Sequence, residues 1–162
     1  MSPKLQKKFE EIVERFVELK DTSELMMDMA YSSLLLSSKG LAEDVQELEE
    51  HMDKLHTDFE LLVLSSGFKP EEAKSFLGLI RLGVVTEKIA DAAAEIAEVV
   101  LRGIKPHPVL KLAIEEAEET VTYVEVAENS LITNKTLRNA RIPQETGMWV
   151  LAIRRRGKYI RP

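Results

Sequence analysis

The chain contains no cysteine, which removes disulfides, thiolate metal sites and cysteine nucleophiles at once. It has no long apolar run either. The longest stretch without a charged residue, Met29 to Ser38, is ten residues, against the roughly 18 that a membrane-spanning helix needs. No segment combines a basic flank, an apolar centre and a small-residue cleavage site, so no secretory signal is expected and a cytoplasmic location is the default. A glycine-rich phosphate loop and a nucleophile elbow are also missing. His51, His56 and His107 lack the spacing of a metalloprotease site, and His107 between two prolines reads as exposed linker. Asn and Gln are scarce, three of each beside 22 Lys+Arg and 28 Asp+Glu, a balance that leans toward heat-adapted proteins. The equipment of an enzyme is not there, and a non-enzymatic role is expected.

What is present is charge, unevenly spread. Residues 1–119 carry 25 acidic and 14 basic side chains, net −11, and residues 120–162 carry 3 and 8, net +5, which together give the −6 of the whole chain. A reversal at one point predicts a domain boundary there, with domains at 1–119 and 120–162. The acidic part argues against a nucleic-acid partner. With 162 residues, 44% of them hydrophobic, the chain has room for one ordinary domain or two small ones with a sizeable core.

The first 119 residues read as helices. Ser2-Pro3 is a helix start, followed by Leu5, Phe9, Ile12, Val13, Phe16, Met27, Ala30 and Leu34 at helical steps, with Lys39-Gly40 as the stop. Leu41, Val45, Leu48, Met52, Leu55, Phe59 and Leu62 alternate steps of four and three and end at Ser65-Ser66-Gly67. Lys69-Pro70-Glu71-Glu72 opens a third helix with seam Phe76, Leu79, Leu82, Val85, Ile89, Ala92, Ile96 and Val99, stopped by Gly103. After the rigid Ile104-Lys-Pro-His-Pro108 a fourth helix is expected over 109–119. Met26, Met27 and Met29 read as bundle packing. From Thr120 the period changes. Thr120–Val126 alternates in twos and predicts a strand, Thr133–Arg141 a short helix before Pro143, and Met148–Ile153 a second strand with Trp149 as a core or interface residue. Arg156-Gly157-Lys158 predicts a hairpin turn into Tyr159-Ile160. The expected fold is mainly α, an antiparallel helical bundle with a small C-terminal α+β module.

Each of the three long helices carries one Glu-x-x-x-Asp pair: Glu24/Asp28, Glu49/Asp53 and Glu87/Asp91. Four residues apart, the two carboxylates share a face, at a cost of roughly 0.2–0.5 kcal/mol per pair unless a cation offsets it. At about 100° per residue, Glu49 and Asp53 fall about 80–120° from their seam, with His56 and Glu60 in the same arc. Glu24 and Asp28 lie on a similar flank beside Asp21, whereas Glu87, Asp91 and Glu98 point nearly opposite the third seam. A solvated helix face accounts for such pairs. So does metal binding, for which oxygen-only ligands favour Mg, Ca, Mn or non-haem iron.

Two stretches resemble known families. Thr86-Glu-Lys-Ile-Ala-Asp-Ala-Ala-Ala-Glu-Ile-Ala-Glu98, preceded by Ile80-Arg81 and Lys69-Pro70, resembles the third helix of the PhoU (phosphate-uptake regulator) family, whose usual pattern is Glu-Arg-Ile-Gly-Asp-His-Ala-x-Asn-Ile-Ala-Glu. The resemblance spans about residues 5–103. It implies a PhoU-like helical bundle and metal, a divalent ion or iron cluster, held at Glu24, Asp28, Glu49, Asp53, Glu87 and Asp91. Ala90, Ala92 and Ala94 depart from the family's Gly, His and Asn, and one bundle stands where the family commonly has two. Val121-Thr-Tyr-Val-Glu-Val126, Ser130-Leu-Ile-Thr-Asn-Lys-Thr-Leu137 and Gly147–Pro162 are similar to the TrkA-C (RCK C-terminal) domain, with Asn134 in place of a Gly. That family's closing Gly-Asp-x-Leu strand is absent, so a further segment beyond Pro162 is expected, or a partner chain on the open sheet edge.

Together the resemblances imply a cytoplasmic regulatory subunit of a potassium or other cation transport system. It would be a homodimer that sits against a membrane channel or transporter without spanning the membrane. It would sense a small ligand such as a nucleotide or cyclic dinucleotide through the TrkA-C-like module. The alternative implied is a metal-binding regulator of phosphate transport or signalling. A plain metal-binding or dimerisation scaffold stays open. Arg154-Arg155-Arg156 reads as a charged hairpin edge or as a site for an anionic ligand.

Overall fold

The computed structural model describes residues 3–67, 69–105, 107–109, 112, 123–150, 152–156 and 158–160. Helix α1 runs Pro3–Leu36, α2 Lys39–Leu64 and α3 Ala73–Leu101, the last entered through a single tight turn, Pro70–Glu72. All three pairs of these helices pack on one another, and the short connections make the course up, down and up. This is a three-helix bundle.

The chain ends of the helices follow from local chemistry. Ser38, not Gly40, decides the first corner. Its backbone N–H donates to Ser33 O at 2.9 Å, and its hydroxyl accepts from Leu41 N–H, so Lys39-Gly40 begins α2 instead of ending α1. At the second corner the Glu72 carboxylate accepts from Lys69 N–H at 2.9 Å, while Pro70 occupies a first-turn position where its missing N–H costs nothing. Gly103 closes α3 as expected, at φ +69 with its N–H donating to Val100 O.

Six of the seven seam positions read for α2 are buried, Leu41, Val45, Leu48, Met52, Leu55 and Phe59, and Val63 replaces Leu62 at the end. On α1 the seam holds at Ile12, Ala30 and Leu34, but Val13 is exposed. On α3 only Phe76 of the expected seam is buried. The buried residues are Phe76, Gly83, Thr86, Ala90, Ala93, Ala94, Ala97 and Val100, whereas Leu82, Val85 and Ile89 are exposed. The helix turns its small residues inward. Their small size lets α3 lie close against neighbours whose large side chains, Phe59 above all, fill the space between the axes. Phe59 is fully buried and meets Phe16 of α1 at 5.6 Å between ring centres, and Phe9 meets Phe76 at 6.1 Å.

Two compact units divide the chain, residues 1–121 and 122–162. In the second, α4 (Leu137–Ala140) begins at Thr136, whose hydroxyl accepts from Asn139 N–H, and α5 (Ile142–Thr146) follows after Arg141 in the left-handed region. Pro143 therefore opens a second helical turn, where the first-turn position tolerates it, instead of merely following one helix. Strands β1 (Ile153–Arg155) and β2 (Lys158–Ile160) pair antiparallel with Arg155 opposite Lys158, the pairing expected of a hairpin running into Tyr159-Ile160. Two strand expectations are not met. Tyr123–Val126 is outside any strand, and Met148–Val150 is irregular with Trp149 81% exposed. Alternating β-branched residues supply a tendency, and a strand also needs a ladder partner. The fourth helix expected over 109–119 lies mostly outside the described residues, as does the start of the strand at 120–122.

Candidate functional site

The pairing of α2 with α3 sets the site. Gln46 of α2 donates from Nε2 to Ala94 O of α3 at 2.9 Å. At the other end Gly83 of α3 lies against Phe59 and His56 of α2. Because the helices are antiparallel, each step forward on α2 is a step back on α3. From Gln46 opposite Ala94 it follows that Glu49 stands opposite Asp91, and Asp53 opposite Glu87. Two acidic pairs separated by 33 residues of intervening chain thus form one four-carboxylate face across the α2–α3 groove.

Burial and protonation agree with that placement. Glu49, Glu87 and Asp91 are half-buried, and Asp53 is exposed. Partial burial raises the Glu49 carboxyl above its ordinary value, and the charges of Asp53, Asp91, Glu50 and Glu87 add to the rise. Burial likewise raises Glu87, helped by Asp91 and Asp53 and opposed by His56. His56 Nε2 lies 3.5 Å from Glu60 Oε1 and is buried without a hydrogen bond among the described residues. Beyond Asp91 the face continues into an open groove of about 620 Å³ lined by Gln46, Glu49, Asp91, Glu95, Glu98 and Arg102. There Arg102 Nε donates to Glu98 Oε1 at 2.9 Å.

The third pair is elsewhere. Glu24 and Asp28 are exposed on α1, and Glu24 accepts from Lys20 Nζ at 3.0 Å. Asp21 and Glu24 hold the Lys20 ammonium above its ordinary value through these hydrogen bonds. Neither Glu24 nor Asp28 is among the charges that shift Glu49 or Glu87. The sequence reading also placed Glu87 and Asp91 opposite the packed side of α3. They flank it instead, next to Thr86 and Ala90, because the packed side is the small-residue one. Gln46 and Arg102 carry no motif that marks them in the sequence, although Gln46 sits one helical turn before Glu49 on the same face.

Among the described residues no three His, Asp or Glu side chains converge closely enough to hold one ion as they stand. What the face provides is concentrated negative charge with two carboxyls reluctant to ionise. A group whose folded pKa is raised favours the folded state below its unfolded value, 4.5 for Glu, and that advantage is lost as pH rises through the folded pKa. Replacing Glu49 and Glu87 together by Gln relieves both like-charge pairs, so at pH 7 the variant should be more stable by roughly 0.5–1 kcal/mol. The difference from wild type should shrink as pH falls toward 4.5, in thermal melts run across pH. A difference independent of pH would contradict the shared face.

The described residues thus form a three-helix bundle with an acidic face between α2 and α3. Residues 16–100, just over half of the chain, match the PhoU domain, and the chain belongs to that family. All six acidic candidates fall inside the match. PhoU-family proteins are regulators, with roles in phosphate and cation homeostasis. The match ends before the second unit. Among curated proteins taken whole, no match is found. No described helix is long and apolar enough to cross a membrane.

Proposed function

We propose that this is a cytoplasmic, non-enzymatic regulator of an ion-transport system, in which the α2–α3 acidic face takes up a divalent or harder cation. One observation carries the reading: Glu49, Asp53, Glu87 and Asp91 stand on one face within the PhoU-matched segment. A bound cation would offset their mutual repulsion, after side-chain rotation brings three oxygens together. Glu24 and Asp28 on α1 stand apart from this face and take no part in the reading.

Binding to the folded state alone must raise stability, by about 2.7 kcal/mol at a concentration 100 times the dissociation constant. Millimolar Mg²⁺ or Mn²⁺ should therefore raise the melting midpoint of the wild type. Glu87→Gln with Asp91→Asn should abolish the rise, and Glu24→Gln should leave it intact. Metal content of the purified protein gives the second readout. A midpoint indifferent to both ions, with no metal in the wild type, removes the cation from the reading.

The transported ion is the finer question, and potassium or another cation is favoured over phosphate by the C-terminal unit. Asn134 replaces the glycine of the TrkA-C pattern, yet it adopts φ +61. Asn is the residue that best tolerates that left-handed conformation after glycine, so an Asn in place of Gly is compatible with the backbone found here. Gly147 also lies in the left-handed region, at φ +74, and β1 and β2 pair antiparallel beyond it. The same melting assay with nucleotides and cyclic dinucleotides separates the readings. Stabilisation by one of them supports a ligand-sensing module on a cation transporter. Response to the metal alone supports a phosphate-linked regulator.

A further inference from the structure

Helix α3 carries two apolar faces, and its own bundle covers one. Gly83, Ala90, Ala93, Ala94 and Ala97 are turned inward. Leu82, Val85 and Ile89 are 53, 56 and 42% exposed. With exposed Ala92 and half-buried Ile96 they follow steps of three and four, a continuous stripe. Single surface leucines need no explanation, but a helix apolar on two sides is built to be covered on both. Along one edge of the stripe, at seven-residue intervals, run Arg81, Lys88 and Glu95, all exposed. The edge is thus basic toward the start of α3 and acidic toward its end.

We propose that this stripe is the contact between two copies of the chain, with their α3 helices antiparallel about a two-fold axis near Ile89. A two-fold contact has to be self-complementary. In this one Ile89 meets its own counterpart, Val85 faces Ala92 of the second copy, and Leu82 faces Ile96 of the second copy. Large residues oppose small or half-buried ones, which suits close packing of two helices. Arg81 lies opposite Glu95 of the second copy, twice over. Only the antiparallel direction brings the basic end of one edge against the acidic end of the other, and this charge order selects a second copy over an unrelated apolar partner. Lys88, nearest the axis, meets itself, the one unfavourable contact. Glu87 and Asp91 lie roughly 140–180° round the helix from the stripe, so the acidic face stays open in the dimer. The contact therefore stands or falls independently of cation binding.

Sedimentation velocity on the full chain across a micromolar concentration range tests it. The wild type should associate to a dimer, and Leu82→Glu with Val85→Glu should be monomeric with unchanged helical circular dichroism, since both side chains are exposed. Arg81→Glu and Glu95→Arg should each weaken the dimer about fivefold at low salt, because two rim pairs are lost at once, and the two combined should restore it. A wild type monomeric throughout overturns the proposal. So does a dimer indifferent to the Leu82 and Val85 charges, which would place association on another surface. If the Leu82/Val85 variant fails to fold, the charge exchange decides, and absence of rescue counts against the contact.

Discussion

Phe59→Ala should cost the bundle about 3–5 kcal/mol, the largest loss expected from any single truncation here. Phe59 is the largest of the fully buried side chains, and it touches both neighbours. Its ring meets Phe16 of α1 and fills the hollow left by Gly83 of α3. Removing it leaves a void among three helices whose backbones are held by other contacts, so collapse can recover only part of the loss. For a unit of this size the melting midpoint should fall by about 10–20 °C. Urea and thermal denaturation of the full chain would measure it, and a loss below about 1 kcal/mol would contradict the packing described.

The second large effect comes from the other side of that contact. Alanine at Gly83 would set its Cβ 2.7 Å from Phe59 Cε1 and 2.9 Å from Cδ1, with His56 Cδ2 at 3.5 Å. These are ring atoms of a side chain boxed in by Phe16, so they cannot swing aside. Overpacking of this kind costs about 1–3 kcal/mol, which outweighs the gain of about 1 kcal/mol from replacing a mid-helix glycine. Gly83→Ala should therefore destabilise. Gly78→Ala, in the same helix, has nothing within 4 Å of its new Cβ and should stabilise by up to about 1 kcal/mol. Opposite signs for one substitution at two positions of one helix form a sharp comparison in parallel melts. Equal signs would mean that α2 and α3 lie further apart than the structure places them.

How much of this was legible in the sequence differs from helix to helix, for a physical reason. On α2 hydrophobicity and size coincide: Leu, Val, Met and Phe recur on one face, and that face is buried. On α3 they part. Two interleaved sets recur at helical spacing, one of large residues and one of Gly, Thr and Ala. Hydrophobic weight favours the large set, but the distance to neighbouring helices decides which set goes inward, and no single sequence encodes that distance locally. The same substitution of faces moved Glu87 and Asp91. Measured from the wrong seam they pointed to solvent, and measured from the buried one they face α2. The acidic pairs themselves were plain from spacing, whereas the union of two of them, and the separation of Glu24/Asp28, needed the α2–α3 register. At Ser38 a serine cap overrode a glycine stop. Around the boundary of the two units, alternation at Thr120–Val126 points to a strand that the described residues do not form, because strand pairing is a long-range property.

The two contacts that define that register bear on how a signal could leave the acidic face. Gln46–Ala94 fixes one end of the α2–α3 interface and Phe59–Gly83 the other, and all four carboxylates lie between them. A helix held at two points along its length cannot slide against its neighbour, since any axial shift would break a half-buried hydrogen bond and drive a ring into a backbone. Occupation of the face is therefore restricted to two kinds of response, rotation of side chains in place or displacement of the bundle as a rigid body. Mechanically α2 and α3 behave as a riveted beam: a load applied between the rivets is felt at the ends, and the exposed side of α3 moves with it.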